Sequence, residues 1–381
     1  MTVHAEPLEL LRRRTSEKWR AYPGDVLPLF VAEMDYPLAE PIADALRQAI
    51  GRSDTGYIGR DEEAKRAFSD FALATWGWET DPQRMITTTD VSVVIVEALR
   101  LAIRAGERVI ITPPVYPPFF ELIPEAGGIV DEVPLSGPDG WSLDLDGIER
   151  AFASGARAFL LCNPHNPLGL VHPPEELAAV ASIAARYDGV VVSDEVHAPL
   201  THSDATFTPF LAVSEEARRH GIAAHSASKT WNLAGLKCAL FVTAHDRMTE
   251  RIRSLPVEVE VRTSHFGRIA TAAAYRDARA WREEALAAIE SNRALLRELL
   301  AQHRPEAGYR EPHASYLAWI DLSALGWGDD PSERILDHAK VALNPGPDFG
   351  EAGAGHVRLN FACSPDVLED AVSRIGRIPR N

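Results

Sequence analysis

Short apolar runs alternate with helical stretches through much of the chain, and this alternation limits the possible folds more than any other feature. Three runs, at residues 108–112 (RVIIT), 158–162 (AFLLC) and 189–195 (GVVVSDE), have the continuous apolar character of strands buried on both faces. Residues 174–187 form a helical stretch that begins with proline and acidic residues, as helices often do. This order predicts an α/β fold with a mostly parallel sheet and helices on both faces.

The pattern changes near residue 278. One long helix is predicted for residues 278–303, and short strand-like pieces follow at 315–322 (SYLAWIDL) and 356–362 (HVRLNFA). These features predict a second, smaller α+β domain. The predicted organisation is an N-terminal arm that packs with the small domain (1–40), a large domain (41–277) and a small C-terminal domain (278–381).

The charge balance and the cysteines narrow the classes of partner. Lysine and arginine number 39 and aspartate and glutamate 55, which gives a formal net charge of −16 and argues against general binding to nucleic acid or anionic membranes. The cysteines show no paired or CxxC spacing, and no apolar run approaches the roughly 20 residues of a membrane span. We therefore expect a cytoplasmic protein without a nucleic-acid partner, a membrane partner or a metal site.

Polar side chains follow three of the predicted strands. Asn163 and Asn166 follow one, Asp194 and His197 follow another, and Lys229 lies after a third, in HSASKTWNLAGLK. Each has an ordinary explanation when it is taken alone, because Asn-Pro starts turns, aspartate caps helices and most lysines are solvated. Ligands of doubly wound sheets bind outside the carboxyl ends of the strands, so together these side chains predict one ligand site.

Seven segments, in order along the chain, resemble the fold-type I enzymes that depend on pyridoxal 5′-phosphate (PLP), in the class I/II aminotransferase superfamily. Within it they resemble the MalY/PatB branch of cystathionine β-lyase-like C–S lyases. The segments are VAEMDY (31–36), TGYIG (55–59), PPVYPPFF (113–120), LCNPHNPLG (161–169), SDEVH (193–197), SASKTWNLAGLK (226–237) and NPGPDFGEAGAGHVRLNFAC (344–363). The resemblance implies the type I PLP-dependent transferase fold.

The resemblance also implies roles around the cofactor ring. Lys229 matches the lysine that forms the Schiff base and then removes the substrate Cα proton, which suits an amine desolvated by small and apolar neighbours. Asp194 matches the partner of the pyridine nitrogen, and Asn166 the donor to the phenolic oxygen. Tyr116 matches the aromatic residue that stacks on the ring. His197 either reaches the same oxygen or supports Asp194, and a role as an ordinary buried histidine remains open.

The cofactor phosphate is expected at the start of the helix in TTTDVSVVIVEALRLAI. Asp90 looks like the N-cap, and the amides of Val91 and Ser92 would face the phosphate. Relatives often carry glycine where Asp90 stands. A carboxylate there must turn into its own capping bonds, because it would otherwise repel the phosphate.

The resemblance assigns three further residues to the phosphate. Ser226 matches a hydroxyl that binds it, and Lys237 stands where many superfamily members have arginine. Tyr57 matches a catalytic-site tyrosine that reaches the phosphate of the neighbouring subunit, which implies a homodimer with shared active sites.

Arg358 matches the arginine that clamps the carboxylate of an amino-acid substrate, and Asn166 is assigned to the same end of the substrate. The predicted function is C–S β-lyase activity on cystathionine or a related L-cysteine S-conjugate, giving thiol, pyruvate and ammonia. Lys229 has the same role in transamination, so an aminotransferase acting on an L-amino acid is the alternative. A PLP-binding regulatory protein with residual lyase activity is the second alternative.

Overall fold

Short strands and longer helices alternate in the computed structural model, which describes residues 3–59, 62–137 and 140–380. The strands are β1 (Leu27–Pro28), β2 (Met85–Thr88), β3 (Arg108–Ile111), β4 (Ile129–Glu132), β5 (Ala158–Cys162), β6 (Val190–Asp194), β7 (Gly221–His225), β8 (Ala239–Val242), β9 (Gly308–Tyr309), β10 (Leu317–Asp321), β11 (Val341–Ala342), β12 (Asn344–Pro345) and β13 (His356–Asn360).

The α-helices are α1 (Leu8–Leu11), α2 (Glu17–Arg20), α3 (Glu40–Gly51), α4 (Glu63–Trp76), α5 (Val91–Ala102), α6 (Phe119–Glu125), α7 (Leu145–Ala153), α8 (Pro174–Arg186), α9 (Glu215–His220), α10 (Asp246–Arg253), α11 (Val257–Val261), α12 (His265–Asp277), α13 (Arg279–His303), α14 (Pro331–Ala339) and α15 (Pro365–Gly376). Short 3₁₀ helices lie at Pro82–Arg84, Ala198–Leu200, Phe210–Ala212, Ala234–Leu236, Ser323–Leu325, Gly346–Phe349 and Glu351–Gly353. Among the described residues, none of the helices has both the length and the apolar character required to span a bilayer.

The apolar runs form a seven-stranded sheet with the order β2-β8-β7-β6-β5-β3-β4. β8 is antiparallel to both neighbours, and the other pairs are parallel. The prediction of a mostly parallel sheet is therefore confirmed. The carboxyl ends of β5, β6 and β7 lie side by side at one edge, because these strands are adjacent and parallel.

Helices cover both faces of this sheet, and alternate residues of each strand face opposite sides. In β6, Val190 and Val192 belong to the apolar cluster that includes α5 and α6, whereas Val191 belongs to the cluster that includes α4, α7, α8 and α12. Strands buried in this way need apolar residues at every position, which explains the continuous runs in the sequence. The same alternation directs Asp194 towards the α5 side.

A second sheet, with the order β12-β13-β10-β9, is antiparallel throughout. It shares an apolar cluster with α13 and α15, and the long helix predicted for residues 278–303 is confirmed as α13. Residues 27–36 contribute to the same cluster, and β1 pairs in parallel with β11. The domain boundaries at residues 40/41 and 277/278 stay predictions.

Candidate active site

A cavity of about 250 Å³ lies at the carboxyl edge of the large sheet. Nine of the eleven predicted site residues line it: Val91, Ser92, Tyr116, Asn166, Asp194, His197, Ser226, Lys229 and Lys237. A larger cavity of about 640 Å³ opens at the opposite edge, where Arg84 precedes β2 and Thr243 follows β8, and it holds none of the predicted residues. The structure therefore brings the predicted polar groups together, as expected for strand ends in this fold class.

Lys229 lies in the loop after β7, and its Nζ donates a hydrogen bond to the carbonyl oxygen of Ala32 at 3.2 Å. Burial and, to a smaller extent, the positive charge of Arg358 lower the pKa of the Lys229 amine to about 8, against the opposing effect of the Asp194 carboxylate. The neutral amine, which is the form that attacks carbonyls and accepts protons, is therefore a far larger fraction near neutral pH than it is for an ordinary lysine.

Asp194 is the last residue of β6, and it is buried. Its Oδ1 accepts a hydrogen bond from the backbone N–H of Val196 at 3.1 Å. Burial raises the pKa of this carboxyl group to about 7, whereas the Val196 N–H and the Lys229 charge lower it. A cation placed beside Asp194 in the cavity would stabilise the carboxylate, because nearby positive charge favours the ionised form.

Arg358 does not line the cavity itself but reaches it through Asn166. Its Nη1 donates to Asn166 Oδ1 at 3.1 Å, and its Nη2 donates to Asn344 Oδ1 at 2.5 Å and to Phe30 O at 3.1 Å. The guanidinium also packs over the ring of Phe349, 5.1 Å from the ring centre. Burial lowers the pKa of Arg358 to about 10, so the group stays charged at neutral pH.

His197 and Tyr116 lie on the cavity wall with different surroundings. The buried Nδ1 of His197 has no hydrogen-bond partner among the described residues. Burial lowers the pKa of His197 to about 3, with further effects from Lys229 and Arg358, so the ring is neutral. Burial raises the pKa of Tyr116, which packs edge-to-face on Phe119. Both roles stay predictions, and the free Nδ1 leaves His197 able to bond a ligand.

The N-terminus of α5 opens onto the cavity through Val91 and Ser92. Asp90 caps the helix, since its Oδ1 accepts from the N–H of Val93 at 3.0 Å, and its Oδ2 pairs with Lys237 Nζ at 3.1 Å. The expected capping geometry is confirmed. The pairing with Lys237 was not foreseen, and it neutralises the carboxylate that would otherwise repel an anion here.

Ser226 is buried, with its hydroxyl already in use. The Oγ donates to the carbonyl of Cys238 at 2.7 Å and accepts from the N–H of Ser228 at 3.1 Å. A hydroxyl has one proton to donate, so Ser226 would have to release Cys238 in order to donate to a phosphate oxygen. Its assignment to the phosphate stays a prediction.

Tyr57 lies outside the cavity of its own chain. Its side chain is 99% exposed, an unusual state for so large an aromatic residue. The exposure suits a residue that acts on another subunit, but the shared active site stays a prediction.

The segment of residues 30–36, here called the strap, runs along the cavity at Ala32. It has no regular secondary structure, so its backbone groups need side-chain partners. Side chains from four distant parts of the chain donate to its carbonyl oxygens: Asn360 to Val31 and Glu33, Asn232 to Met34, Lys18 to Glu33, and Tyr316 to Ala32. These bonds fix the Ala32 carbonyl where Lys229 meets it.

Sequence reasoning missed several of these contacts. Ala32 acts through its backbone carbonyl, and residue type carries no signal for such a role. Asn344 and Tyr316 lie within apolar or proline-rich surroundings that predict only strands and turns. The position of Asn344 opposite Arg358 in the β12–β13 pair would have identified it, but that register is a property of the folded sheet.

The groups around the cavity fit a ligand with an aldehyde, a ring nitrogen and a phosphate. They combine an amine of lowered pKa, a buried carboxylate without a cationic hydrogen-bond partner among the described residues, and a helix N-terminus beside a lysine. A mostly parallel sheet that carries such a set at its carboxyl edge defines the class of fold-type I PLP-dependent enzymes.

The chain belongs to the aminotransferase class I and II family, whose model matches residues 24–375. It is 45% identical over 397 residues to a Mycobacterium tuberculosis protein provisionally named cystathionine beta-lyase, covering 97% of this chain and 96% of that protein. Within the family the chain is thus of the cystathionine β-lyase-like type, and the family predicted from the seven sequence segments is confirmed.

Solved structures support the fold assignment. A Corynebacterium diphtheriae protein provisionally described as a PLP-dependent β-cystathionase superposes with a TM-score of 0.94 and 35% identity, covering 98% of each chain. Cystalysin from Treponema denticola, whose crystal structure contains a pyridoxal 5′-phosphate cofactor, superposes with a TM-score of 0.91 and 26% identity, covering 96% of each chain. The type I PLP-dependent transferase fold is therefore confirmed.

Proposed function

We propose that this protein binds PLP and is a C–S β-lyase that cleaves L-cystathionine or a related L-cysteine S-conjugate to a thiol, pyruvate and ammonia. The observation that carries the proposal is the presence of Lys229 and Asp194 in one cavity, the amine with a lowered pKa and the carboxylate buried. The names of the mycobacterial and corynebacterial relatives favour lyase chemistry over transamination.

Each end of the cofactor has a matching set of residues. Asp194 would bind the ring nitrogen, Asn166 the phenolic oxygen, and Tyr116 one face of the ring. The N-terminus of α5, with Ser226 and Lys237, would bind the phosphate, since a helix N-terminus and a lysine both favour negative charge. When bound, PLP supplies an electron sink for the electrons left when the substrate Cα–H bond breaks.

The protein then has two tasks at the substrate. Arg358 binds the α-carboxylate and holds the amino acid in one orientation, because its guanidinium group is fixed by hydrogen bonds to Asn344 and to the Phe30 carbonyl. Lys229 Nζ accepts the Cα proton as a neutral amine. The Cβ–S bond then breaks with its electron pair on sulfur, and the departing thiolate leaves as a thiol by taking up the proton that Lys229 holds. One water converts the remaining three-carbon unit to pyruvate and ammonia, and the neutral Lys229 can again donate a hydrogen bond to the Ala32 carbonyl.

An aminotransferase is the second candidate, because the matching family is named for that reaction and the lysine has the same first task in both. The two are separated by incubating the purified protein with L-cystathionine, and separately with an amino acid plus a 2-oxo acid. We expect pyruvate and free thiol in equal amounts from the first mixture. Amino-group exchange in the second mixture, without thiol release in the first, would establish the aminotransferase instead.

Replacing Arg358 by alanine should lower kcat/KM by about 10- to 100-fold or more, since a charge-assisted pair contributes about 1.5–3 kcal/mol. KM should rise and kcat should fall, because the clamp also orients the Cα–H bond. Removing this charge also lets the pKa of Lys229 rise, so kcat should fall further at pH 7 than at pH 9. Steady-state kinetics at the two pH values measure both effects.

Arg358→Lys tests the contribution of the positive charge separately from that of the planar, two-donor guanidinium group. We expect it to keep most of the lowered pKa of Lys229 but to recover only part of kcat/KM, because an ammonium lacks the planar fork. Near-native kinetics in Arg358→Ala would show that another residue holds the carboxylate.

Tyr57 is expected to complete the active site of the partner subunit in a homodimer. Mixing Lys229→Ala protein with Tyr57→Ala protein should then restore activity, because one site of each hybrid dimer has both native residues. Activity before and after mixing, at limiting PLP, measures this. Mixing Lys229→Ala with Arg358→Ala is the matched control and should restore nothing, since both residues serve the cavity of one chain. A wild-type monomer that is fully active at high dilution would contradict the shared site.

A further inference from the structure

We propose that Glu195 and His225, which the reaction itself does not use, form a positioning pair that fixes the spacing of the cofactor-binding residues Asp194 and Ser226. This inference rests on the proposed PLP binding. Each member of the pair is the immediate neighbour of one cofactor-binding residue: Glu195 follows Asp194 at the end of β6, and His225 precedes Ser226 at the end of β7.

The pair extends the β6–β7 ladder beyond its last backbone contact. Asp194 pairs with Ala224, and the N–H of Glu195 donates to the Ala224 carbonyl at 2.9 Å. One step further on, His225 Nε2 lies 3.1 Å from Glu195 Oε2, within ion-pair distance although without hydrogen-bond alignment. The side chains thus link the two strands at the point where backbone pairing stops.

Strand alternation places the pair on the face opposite the cofactor. Ala223 belongs to the apolar cluster with α4 and Ala224 to the cluster with α5, so His225 is directed towards α4 and Ser226 towards α5. Glu195 and Asp194 divide between the two faces in the same way. The pair can therefore act on the cofactor only through the backbone positions of its neighbours.

Both members are held rigidly. Glu195 Oε1 accepts from Ser193 Oγ at 2.9 Å and from the N–H of Phe210 at 2.8 Å, and both members of the pair are almost fully buried. The His225 ring is surrounded by the rings of Phe68, Trp76 and Trp78, with ring centres 4.6, 5.8 and 5.8 Å away. A pair held by these hydrogen bonds and ring contacts transmits its spacing to the strand ends instead of adjusting to them.

The test compares PLP affinity with stability. His225→Phe keeps an aromatic ring among the surrounding rings but removes the contact with Glu195. Glu195→Gln keeps an acceptor for Ser193 and Phe210 but removes the charge. We expect each to weaken the Kd for PLP by about 10-fold or more, in the range found when the outer partners of a ligand set are removed. The Kd comes from titrating PLP into protein freed of cofactor, followed by absorbance.

Thermal midpoints with and without PLP separate positioning from stability alone. If the pair has a positioning role, the increase in thermal midpoint that PLP produces should be smaller in both variants than in the wild type. Leu368→Ala, a buried change in α15, is the control and should lower both midpoints while leaving the Kd within about twofold of wild type. If both midpoints fall equally and the Kd stays at the wild-type value in either variant, the pair is structural only and the inference is overturned. Wild-type protein that fails to bind PLP would instead overturn the proposed function.

Discussion

Lys229→Ala is expected to lower kcat by about 10⁴-fold or more, the largest loss expected of any single substitution in this protein, because under the proposed function it removes both the covalent partner of the cofactor and the base for the Cα proton. The variant should also lose the cofactor–protein bond that borohydride reduces. Absorbance spectra before and after reduction, followed by mass measurement of the protein, test this directly.

The lowered pKa of Lys229 gives this prediction a pH signature in the wild-type protein. Attack on the cofactor aldehyde needs the neutral amine, so the rate of attachment to cofactor-free protein should rise with pH and level off above about 8. An ordinary lysine, with a pKa of about 10.4, would still be gaining rate at pH 10. Stopped-flow absorbance across this pH range measures the midpoint.

Lys237→Ala is the matched control for Lys229→Ala, because Lys237 lines the same cavity and also carries an amine. It should weaken PLP binding and keep the reducible bond. If Lys229→Ala retained both the bond and full turnover, Lys229 would not be the attachment site.

The sequence was sufficient to predict the sheet and most of the cavity. Strands buried on both faces need apolar residues throughout, so β5 and β6 could be placed within a residue or two, and a polar residue that ends such a run must face either solvent or a ligand. The apolar run that precedes Asp194 is therefore enough to identify it as a candidate site residue.

Other contacts were not predictable because they depend on residues far apart in sequence. Ala32 and Lys229 are separated by 197 positions, and their contact requires the strap to be fixed by Asn360 in β13 and by Tyr316, which directly precedes β10. The pairing of Lys237 with Asp90 likewise follows from the packing of the loop after β7 against the start of α5. A single sequence contains no periodic signal for such pairs.

Asp194→Ala should lower kcat by about 10²- to 10⁴-fold, because removing one partner of a buried charge pair costs about 3–5 kcal/mol. In the proposed function Asp194 would keep the ring nitrogen of bound PLP protonated, so the variant would hold a cofactor that is a weaker electron sink. Asp194→Asn should behave similarly, since a neutral amide keeps the size but not the charge. Removing this carboxylate should also lower the pKa of Lys229, which Asp194 now raises. The pH midpoint for attachment of the cofactor to Lys229 should therefore move to lower pH, while kcat falls.

Asp90→Asn is the control that distinguishes the specific loss of the Asp194 carboxylate from a general change of charge in the cavity. It removes one carboxylate from the same cavity and preserves the helix cap, because asparagine caps as well as aspartate. We expect a far smaller loss of kcat than for Asp194→Ala.

A cofactor analogue methylated on the ring nitrogen carries its positive charge permanently, so it should restore a large part of the activity of Asp194→Ala and add nothing to the wild type. If the analogue failed to raise kcat in Asp194→Ala, protonation of the ring nitrogen would not be the task of Asp194, and its buried carboxylate would have to act in another way, such as by holding the loop at Val196.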